Sequence, residues 1–342
     1  MKVVEHPSLQ RLNTFGVQAS AAILLEIESE EDILSLPAFD ARRDLVLGGG
    51  SNVLFVSDVP GTVLLNRIGG IDVTRQDDQH AWVEVGAGEN WHDFVTWSVN
   101  HGLSGIENLA LIPGQCGAAP IQNIGAYGVE LASVLQCVTA WDFHASRWSV
   151  LDASDCQFSY RDSLFKSGSA GRYLISSIHL RLNRHFTPQL DYAGLREELQ
   201  SAHPEKLGPM DVYSAVIRLR RRKLPDPGVE GNAGSFFKNP VVPMDQLDHL
   251  LRHWPGIPWW AAAANHAKIP AAWLIDQCGL KGRQHDGAAV SAQHALVLVN
   301  RGSASGVAIW QLAKRVQQSV QDRFGILLEP EPLIYLPDAE QT

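Results

Sequence analysis

Short apolar runs and segments of helical periodicity alternate along the chain, and together they predict a mixture of strands and helices. Apolar residues at positions 91, 94, 95 and 99, for example, fall near the 3.6-residue spacing of one helix face. The runs that predict strands are 21–27, 44–47, 82–85, 134–141, 173–182 and 295–300. The segments that predict helices are 30–36, 89–103, 211–223, 271–278 and 307–324. This order predicts an α+β fold without internal repeats.

Composition limits the possible partners. The chain has 342 residues, 45% of them hydrophobic, which suffices for ordinary cores in two or three domains. The net charge of −9 argues against a nucleic acid or an anionic membrane as the main partner. Four widely spaced cysteines show no zinc-binding spacing, so no metal site is predicted. We find no signal peptide or membrane-spanning run, and we expect a cytoplasmic protein.

Three glycine-rich segments of low charge stand out, at 47–55, 85–91 and 112–131. Backbone N–H groups in such turns can bind phosphate oxygens. Neither of the first two segments has the spacing of a Walker loop or of a dinucleotide-binding fingerprint. The three together predict a backbone-lined groove for a large, phosphate-bearing cofactor.

A fourth segment, at 231–240, places Ser235 after two glycines and an asparagine and before two phenylalanines and a lysine. The small residues allow the backbone to approach a ligand closely. Read alone, the segment is an ordinary tight turn. Upstream of it, the sequence Leu-Pro-Asp-Pro-Gly at 224–228 ends the helix predicted at 211–223 and favours a domain boundary.

Several motifs in order along the chain resemble those of the UDP-N-acetylenolpyruvoylglucosamine reductases, the MurB family. They include Asn-Thr-Phe-Gly at 13–16, Tyr-Arg-Asp-Ser at 160–163, Gly-Ser-Phe-Phe at 234–237 and Leu-Glu-Pro-Glu at 328–331. The resemblance extends over almost the whole chain. The segment around Tyr192 is similar to that of the longer, type I branch of the family.

The resemblance implies a two-lobed FAD-binding domain of the vanillyl-alcohol-oxidase (PCMH) type and a smaller α+β substrate-binding domain. We expect the first lobe at 1–71, the second at 72–224 and the substrate-binding domain at 225–342. The implied reaction is NADPH-dependent reduction of UDP-N-acetylglucosamine enolpyruvate to UDP-N-acetylmuramate in peptidoglycan synthesis, by a monomer that holds FAD noncovalently. Hydride would pass from flavin N5 to the terminal carbon, C3, of the enolpyruvyl group.

By the same resemblance, Arg161, Ser235 and Glu331 carry the catalysis. Arg161 and Glu331 would flank the carboxylate of the substrate, and Ser235 would protonate C2. An arginine suits this position because its planar, permanently charged group can meet a carboxylate bidentately. Glu331 beside a second carboxylate requires that one of them be protonated or hydrogen-bonded. Read singly, Arg161 could pair with Asp162 at the surface, and Ser235 could cap a turn.

The resemblance also assigns binding residues. Those expected to contact FAD are Gly48, Gly49, Gly50, Ser51, Asn52, Gly114, Gly117, Ala118, Gln122, Asn123, Ile124 and Gly125. Those expected to contact the UDP moiety are Tyr192, Lys223, Asn239 and Gln284. Arg220 could reach a phosphate of the flavin or of the substrate, and Lys268 could either bind a phosphate or stand at a solvated helix start. A lysine charge and a phenol suit a diphosphate.

Two other classes of function stay open at this level. An FAD-dependent oxidase of the same fold would need a base in place of Ser235 and a histidine for covalent flavin attachment; neither is evident. A non-catalytic flavin-binding protein would have lost at least one of Arg161, Ser235 and Glu331, yet all three residues are present.

Overall fold

The computed structural model describes residues 1–192, 194–199, 207–262 and 264–336, and two compact units can be distinguished. Unit 1 comprises Met1–Pro7, Ser20–Gly50 and Val59–Arg222. Unit 2 comprises Ser8–Ala19, Ser51–Asp58 and the chain from Lys223 onward. Each unit is therefore assembled from segments that are distant in sequence. The expected division at 71 and 224 into two lobes and a substrate-binding domain stays a prediction.

Strands outnumber helices in the described part of the chain. The strands are β1 (Lys2–Glu5), β2 (Ala21–Ile27), β3 (Leu45–Leu47), β4 (Val53–Phe55), β5 (Val59–Asn66), β6 (Ile71–Gln76), β7 (His80–Gly86), β8 (Gly125–Ala126), β9 (Val129–Glu130), β10 (Leu135–Asp142), β11 (Arg147–Asp152), β12 (Tyr173–Asn183), β13 (Gly231–Ser235), β14 (Val241–Pro243), β15 (Trp260–Ala261), β16 (His266–Lys268), β17 (Gln284–His285), β18 (Ala288–Val290), β19 (Val297–Asn300) and β20 (Leu333–Tyr335). The α-helices are α1 (Glu30–Leu34), α2 (Trp91–Asn100), α3 (Leu195–Leu199), α4 (Pro209–Lys223), α5 (Met244–His253), α6 (Ala271–Gln277) and α7 (Gly306–Phe324).

Unit 1 contains two larger sheets and the two-stranded antiparallel sheet of β8 and β9. One has the strand order β1-β2-β5-β3, in which β5 pairs in parallel with both β2 and β3. The other is the antiparallel sheet β11-β10-β12-β7-β6. The largest core cluster of the unit joins this second sheet to α2 and α4 through residues such as Phe94, Val138, Ile178 and Val216. Burial of these apolar side chains is the main force that orders the unit.

Unit 2 contains the antiparallel sheet β13-β19-β18-β17, the small sheet β14-β16-β15, and the parallel pair of β20 and β4. Its longest helix, α7, has its N-cap at Ser305, whose Oγ accepts a hydrogen bond from the Ala308 N–H at 3.2 Å. The helix ends at Gly325, which adopts a left-handed conformation (φ 67°) that favours glycine.

The periodic segments of the sequence correspond to these elements. Every strand and helix predicted from them is confirmed, with end points shifted by no more than three residues at either end. The helix predicted at 89–103, for instance, is α2, Trp91–Asn100. It begins at Trp91 because Asn90 caps it: Asn90 Oδ1 accepts a hydrogen bond from the Asp93 N–H at 3.1 Å. Short strands such as β4 and β20 have no periodic signal of their own.

Candidate active site

Two predicted FAD-binding segments lie against each other in unit 1. Gly48 and Gly49 directly follow β3. A Cβ atom on Gly48 would lie 2.9 Å from Gln115 Oε1, and one on Gly49 would lie 3.1 Å from the Gly114 Cα. A Cβ atom would displace the Gln115 side chain at Gly48 and crowd the Gly114 backbone at Gly49, so glycine is favoured at both positions. Gly50, next in the chain, adopts φ 61°.

The second segment continues into a 3-10 helix, Cys116–Gln122, which contains the predicted FAD contacts Gly117, Ala118 and Gln122. Gln115 anchors the start of this helix by donating from Nε2 to the carbonyls of Asn66 and Gly88, both at 3.1 Å. Its Oε1 is buried and accepts no hydrogen bond from the described residues. A buried acceptor left in this way favours a bound group that can donate to it.

Three further predicted FAD contacts, at 123–125, form the turn after this helix. Asn123 is buried and left-handed (φ 43°). Its Nδ2 donates to Glu130 Oε2 at 2.9 Å and to the Ser159 carbonyl at 3.2 Å, and its Oδ1 accepts from Ala132 N–H at 3.0 Å. The side chain of Asn123 therefore holds together the segment 114–125, which we call the FAD wall. Ile124 is also buried, and Gly125 begins β8.

These observations fit FAD. From position 108 to position 129 the sequence carries no Asp, Glu, Lys or Arg, so no carboxylate there would repel a diphosphate. The backbone supplies glycine turns in which N–H groups can meet phosphate oxygens. Gly48, Gly49 and the 114–118 segment would hold the cofactor.

The third glycine-rich segment, at 85–91, has a packing role. A Cβ atom on Gly86 would lie 2.5 Å from the Ile68 carbonyl oxygen, and one on Gly88 would overlap the backbone of Arg67. These glycines allow β7 to pass close to the strand connection at 67–69. The sequence pattern could not distinguish this close approach from a ligand-binding turn.

Arg161 lies in a tight turn of unit 1. It adopts φ 56°, and the turn is closed by reciprocal backbone hydrogen bonds between Ser159 and Asp162 at 3.1 and 3.3 Å. Ser163 fixes the turn to the FAD wall by donating from Oγ to the Ile121 carbonyl at 2.7 Å. Arg161 itself donates from Nη2 to the Gly125 carbonyl at 2.5 Å. The predicted catalytic arginine is therefore attached to the predicted FAD wall.

A second arginine, Arg220 on α4, is near Arg161. Its Nε is buried and donates to no described residue. Burial lowers the pKa of Arg220, and the positive charge of Arg161 lowers it further, while the phenols of Tyr127 and Tyr192 act in the opposite direction. The rings of Tyr127 and Tyr192 meet edge to face, with centroids 4.9 Å apart. Two neighbouring cations and two phenols form a site suited to an anion.

In unit 2, the segments of Ser235 and Glu331 are held together by main-chain hydrogen bonds. The Glu331 N–H donates to the Phe236 carbonyl at 2.8 Å, and the Lys238 N–H donates to the Glu329 carbonyl at 2.9 Å. Asn52 joins the same cluster, because its carbonyl accepts from the Leu333 N–H at 2.9 Å. The predicted FAD contacts Ser51 and Asn52 therefore belong to unit 2, whereas Gly48–Gly50 belong to unit 1.

Two lysines of unit 2, Lys223 and Lys281, lie near His294 and form a cationic group with it. The half-buried His294 has its pKa lowered by burial and then by the charges of Lys223 and Lys281. Its loop leads directly into the strand next to Ser235, since the Phe236 N–H donates to the Leu296 carbonyl at 2.8 Å. Neither His294 nor Lys281 follows from the sequence motifs, because only the fold brings them to Lys223.

The other predicted UDP contacts have different surroundings. Asn239 accepts a hydrogen bond on Oδ1 from the Ala271 N–H at the start of α6, at 2.9 Å, so its amide NH₂ is the part that can face a ligand. Gln284 is exposed on β17, and Arg301 Nη1 donates to its Oε1 at 3.5 Å. The side chain of Tyr192 is 43% exposed. These binding assignments stay predictions.

Comparison with known proteins supports both an FAD-binding region in the first half of the chain and a reductase-type domain in the second. Residues 21–146 match the family model of an FAD binding domain, and residues 226–335 match that of the UDP-N-acetylenolpyruvoylglucosamine reductase C-terminal domain. The UDP-N-acetylenolpyruvoylglucosamine reductase of Xanthomonas euvesicatoria is 49% identical over 336 residues, which cover 96% of this chain and 95% of that protein. The chain belongs to this reductase family. The enzyme of the same name from Burkholderia vietnamiensis is 47% identical over 334 residues, with the same coverage of both chains.

A solved structure agrees with this membership of the reductase family. The crystal structure of the UDP-N-acetylenolpyruvylglucosamine reductase (MurB) from Thermus caldophilus has a TM-score of 0.68 and 26% identity, and the match covers 98% of each chain. The predicted family, the α+β fold, the oxidoreductase class and FAD as the cofactor are thereby confirmed. In the described part of the chain, no helix has the length and apolarity needed to cross a bilayer.

Proposed function

We propose that this chain catalyses the NADPH-dependent, FAD-mediated reduction of UDP-N-acetylglucosamine enolpyruvate to UDP-N-acetylmuramate. The observation that carries the proposal is the pairing of the Ser235 and Glu331 segments through the 2.8 Å hydrogen bond from the Glu331 N–H to the Phe236 carbonyl. It pairs two chain segments that are distant in sequence, one carrying the Ser235 hydroxyl and the other the Glu331 carboxyl group. Bound FAD would supply the hydride for the reduction.

Arg161 and Arg220 would bind the carboxylate of the enolpyruvyl group. Negative charge grows on this carboxylate side as the double bond is reduced, and fixed cations stabilise such charge best where water is excluded. Arg161 is pre-oriented by its hydrogen bond to the Gly125 carbonyl, so little reorganisation is needed. Glu331 would share a proton or a hydrogen bond with the substrate carboxylate.

Ser235 would donate the proton that completes the reaction at C2. A serine hydroxyl is a weak acid, but an enolate carbon is a strong base, so the transfer is feasible. Ser235 ends β13 and is paired with Val297 in the register of β13 and β19. This pairing limits the movement of the backbone that carries the hydroxyl.

The UDP diphosphate would bind the cationic group of Lys223, Lys281 and His294, with Tyr192, Asn239 and Gln284 as further contacts. A lysine charge neutralises a phosphate, and a neutral histidine can donate one hydrogen bond to it. A cytoplasmic location, a monomeric state and NADPH as the hydride donor belong to the same proposal.

Two serine variants test the role of Ser235. We expect Ser235→Ala to bind FAD and to be reduced by NADPH at the wild-type rate, but to lose about 10²–10⁴-fold in turnover of the enolpyruvyl substrate. Ser235→Cys keeps an ionisable proton at the same position and should recover part of the activity. Stopped-flow measurement of flavin absorbance separates the two half-reactions. Wild-type turnover by Ser235→Ala would disprove the proton-donor role. If the enolpyruvyl substrate does not re-oxidise the reduced flavin of the wild-type protein, the proposed reaction is disproved.

A further inference from the structure

The first turn of α2 holds the loop at 109–114, which leads into the FAD wall. The Trp91 side chain donates from Nε1 to the Leu109 carbonyl, and its backbone N–H donates to the Gly114 carbonyl, both at 3.0 Å. Between these two points, the Leu111 N–H donates to His92 Nδ1 at 3.0 Å. His92 therefore fixes the middle of a loop whose last residue lies against Gly49.

Leu111 needs such an anchor. It adopts φ 59°, a left-handed conformation that is uncommon for residues other than glycine. A residue in such a conformation persists only where its surroundings hold it. The hydrogen bond to His92 satisfies the Leu111 N–H in this conformation and so supports the direction in which residues 112–114 leave.

The imidazole of His92 is itself held in place. It stacks on the Tyr213 ring of α4 with centroids 5.8 Å apart and planes 14° apart. The Tyr213 hydroxyl and Thr96 Oγ1 are 2.7 Å apart, and Thr96 Oγ1 also donates to the His92 carbonyl at 2.8 Å. Because Nδ1 accepts a hydrogen bond, the neutral ring carries its proton on Nε2.

The surroundings of His92 favour this neutral form. Burial lowers its pKa from 6.5, and the positive charges of Arg221 and Arg220 on α4 lower it further, whereas Asp93 on α2 raises it. The loop at 109–114 contributes no charged side chain, and the N-terminal end of a helix disfavours a cation. An imidazolium would be a donor at both nitrogens and could no longer accept from Leu111.

We propose that His92 is a positioning residue for FAD: its neutral imidazole holds Leu111 so that the loop at 109–114 presents its backbone to the flavin nucleotide, and protonation releases this loop. The inference rests on the proposed function. It assigns no chemistry to His92, which acts through the loop. Affinity for FAD should therefore fall as the pH falls below 6.5, since the neutral ring is required and protonation opposes the bound arrangement.

Two substitutions separate the hydrogen bond from the ring. His92→Phe keeps the stacking on Tyr213 and removes the acceptor. His92→Asn keeps an acceptor near the position of Nδ1 and does not titrate. The probe is FAD itself, added to the apoprotein at several pH values between 5.5 and 8, with binding followed by the change in flavin fluorescence. His101→Phe at the other end of α2, where the ring stacks on Trp97, is the matched control.

At pH 8 we expect His92→Phe to bind FAD about tenfold more weakly than the wild type, because a backbone donor loses its partner. We expect His92→Asn to stay within about threefold of the wild type and to lose the dependence on pH between 7 and 5.5. The control should keep both the affinity and the pH dependence of the wild type.

Wild-type affinity of His92→Phe at every pH, with its fold verified by circular dichroism, would overturn the inference. An unchanged pH dependence in His92→Asn would show that another group titrates and would overturn it as well. Both results leave the proposed reaction intact. Failure of the wild type to bind FAD even at pH 8 would instead overturn the proposed function and this inference with it.

Discussion

Asn108 offers a test of how the aromatic part of the site is supported. It lies in the segment between α2 and the FAD wall and is fully buried. Its Nδ2 donates to the Tyr127 carbonyl at 2.8 Å and to the Gln189 carbonyl at 2.9 Å. One amide therefore joins the two chain segments that carry Tyr127 and Tyr192. Asn108→Leu keeps the branching at Cγ and removes both hydrogen bonds.

The expected loss of stability follows from the two carbonyl groups. The bond to the Tyr127 carbonyl is buried, and a buried acceptor left without its partner costs about 1–3 kcal/mol. The bond to the Gln189 carbonyl is only partly buried, so water can replace much of it. Asn108 Oδ1 is itself buried and accepts from no described residue, so its removal relieves part of this cost. We therefore expect the free energy of unfolding to fall by about 1–3 kcal/mol.

Urea unfolding, followed by tryptophan fluorescence, measures this free energy, and steady-state kinetics measures the consequence for the substrate. We expect the KM for the enolpyruvyl sugar nucleotide to rise about tenfold, equivalent to about 1.4 kcal/mol, because Tyr127 and Tyr192 are no longer held together. The control is Asn100→Leu at the exposed end of α2. If Asn108→Leu matches this control in both stability and KM, the amide does not support the site.

Two further predictions concern stability. Asp142 is 2% exposed and accepts from Arg172 Nη2 at 2.6 Å, which is the main cause of the lowering of its pKa from 3.8 to about 2. The stabilisation that the ionised Asp142 gives the folded state is present above pH 4 and is lost as the pH falls toward 2. We expect Asp142→Asn to lower the free energy of unfolding by about 1–2 kcal/mol at pH 7, after allowing for solvent screening at Arg172, and by little at pH 2. Equal losses at both pH values in urea unfolding would contradict this. Gly306→Ala would place a methyl group on the Phe55 carbonyl oxygen, so thermal unfolding should show a loss of about 1–3 kcal/mol. The control Gly256→Ala, where a Cβ atom meets nothing within 4 Å, should show no such loss.

Much of the fold could be predicted from local sequence because burial in this chain follows regular periods. The spacing of Trp91, Phe94, Val95 and Val99 indicates α2, and all four side chains are buried. Strand β4 could not be predicted, because a three-residue segment has no period and its pairing depends on β20, near the other end of the chain.

The chemical groups of the site were predictable only as far as family motifs reach. Arg161, Ser235 and Glu331 lie in such motifs, and their catalytic roles stay predictions. Arg220 stands in a basic run in which neighbouring arginines differ in surroundings: Arg218 and Arg222 pair with Glu198, whereas the Arg220 Nε is buried without a described partner. Helical phase determines this difference, and composition alone does not show it.

The pairing of β4 with β20 also determines when unit 2 can finish folding. Asn52, just before β4, donates a hydrogen bond to the Glu331 carbonyl across 279 positions of sequence. During synthesis, β4 leaves the ribosome long before its partner exists, and closing so long a loop is slow. The apolar residues Val53, Leu54 and Phe55, all buried in the finished fold, stay without this partner throughout that interval. The nascent chain thus carries a strand that can pair with other chains, and chaperone binding there would protect it until β20 has been synthesised.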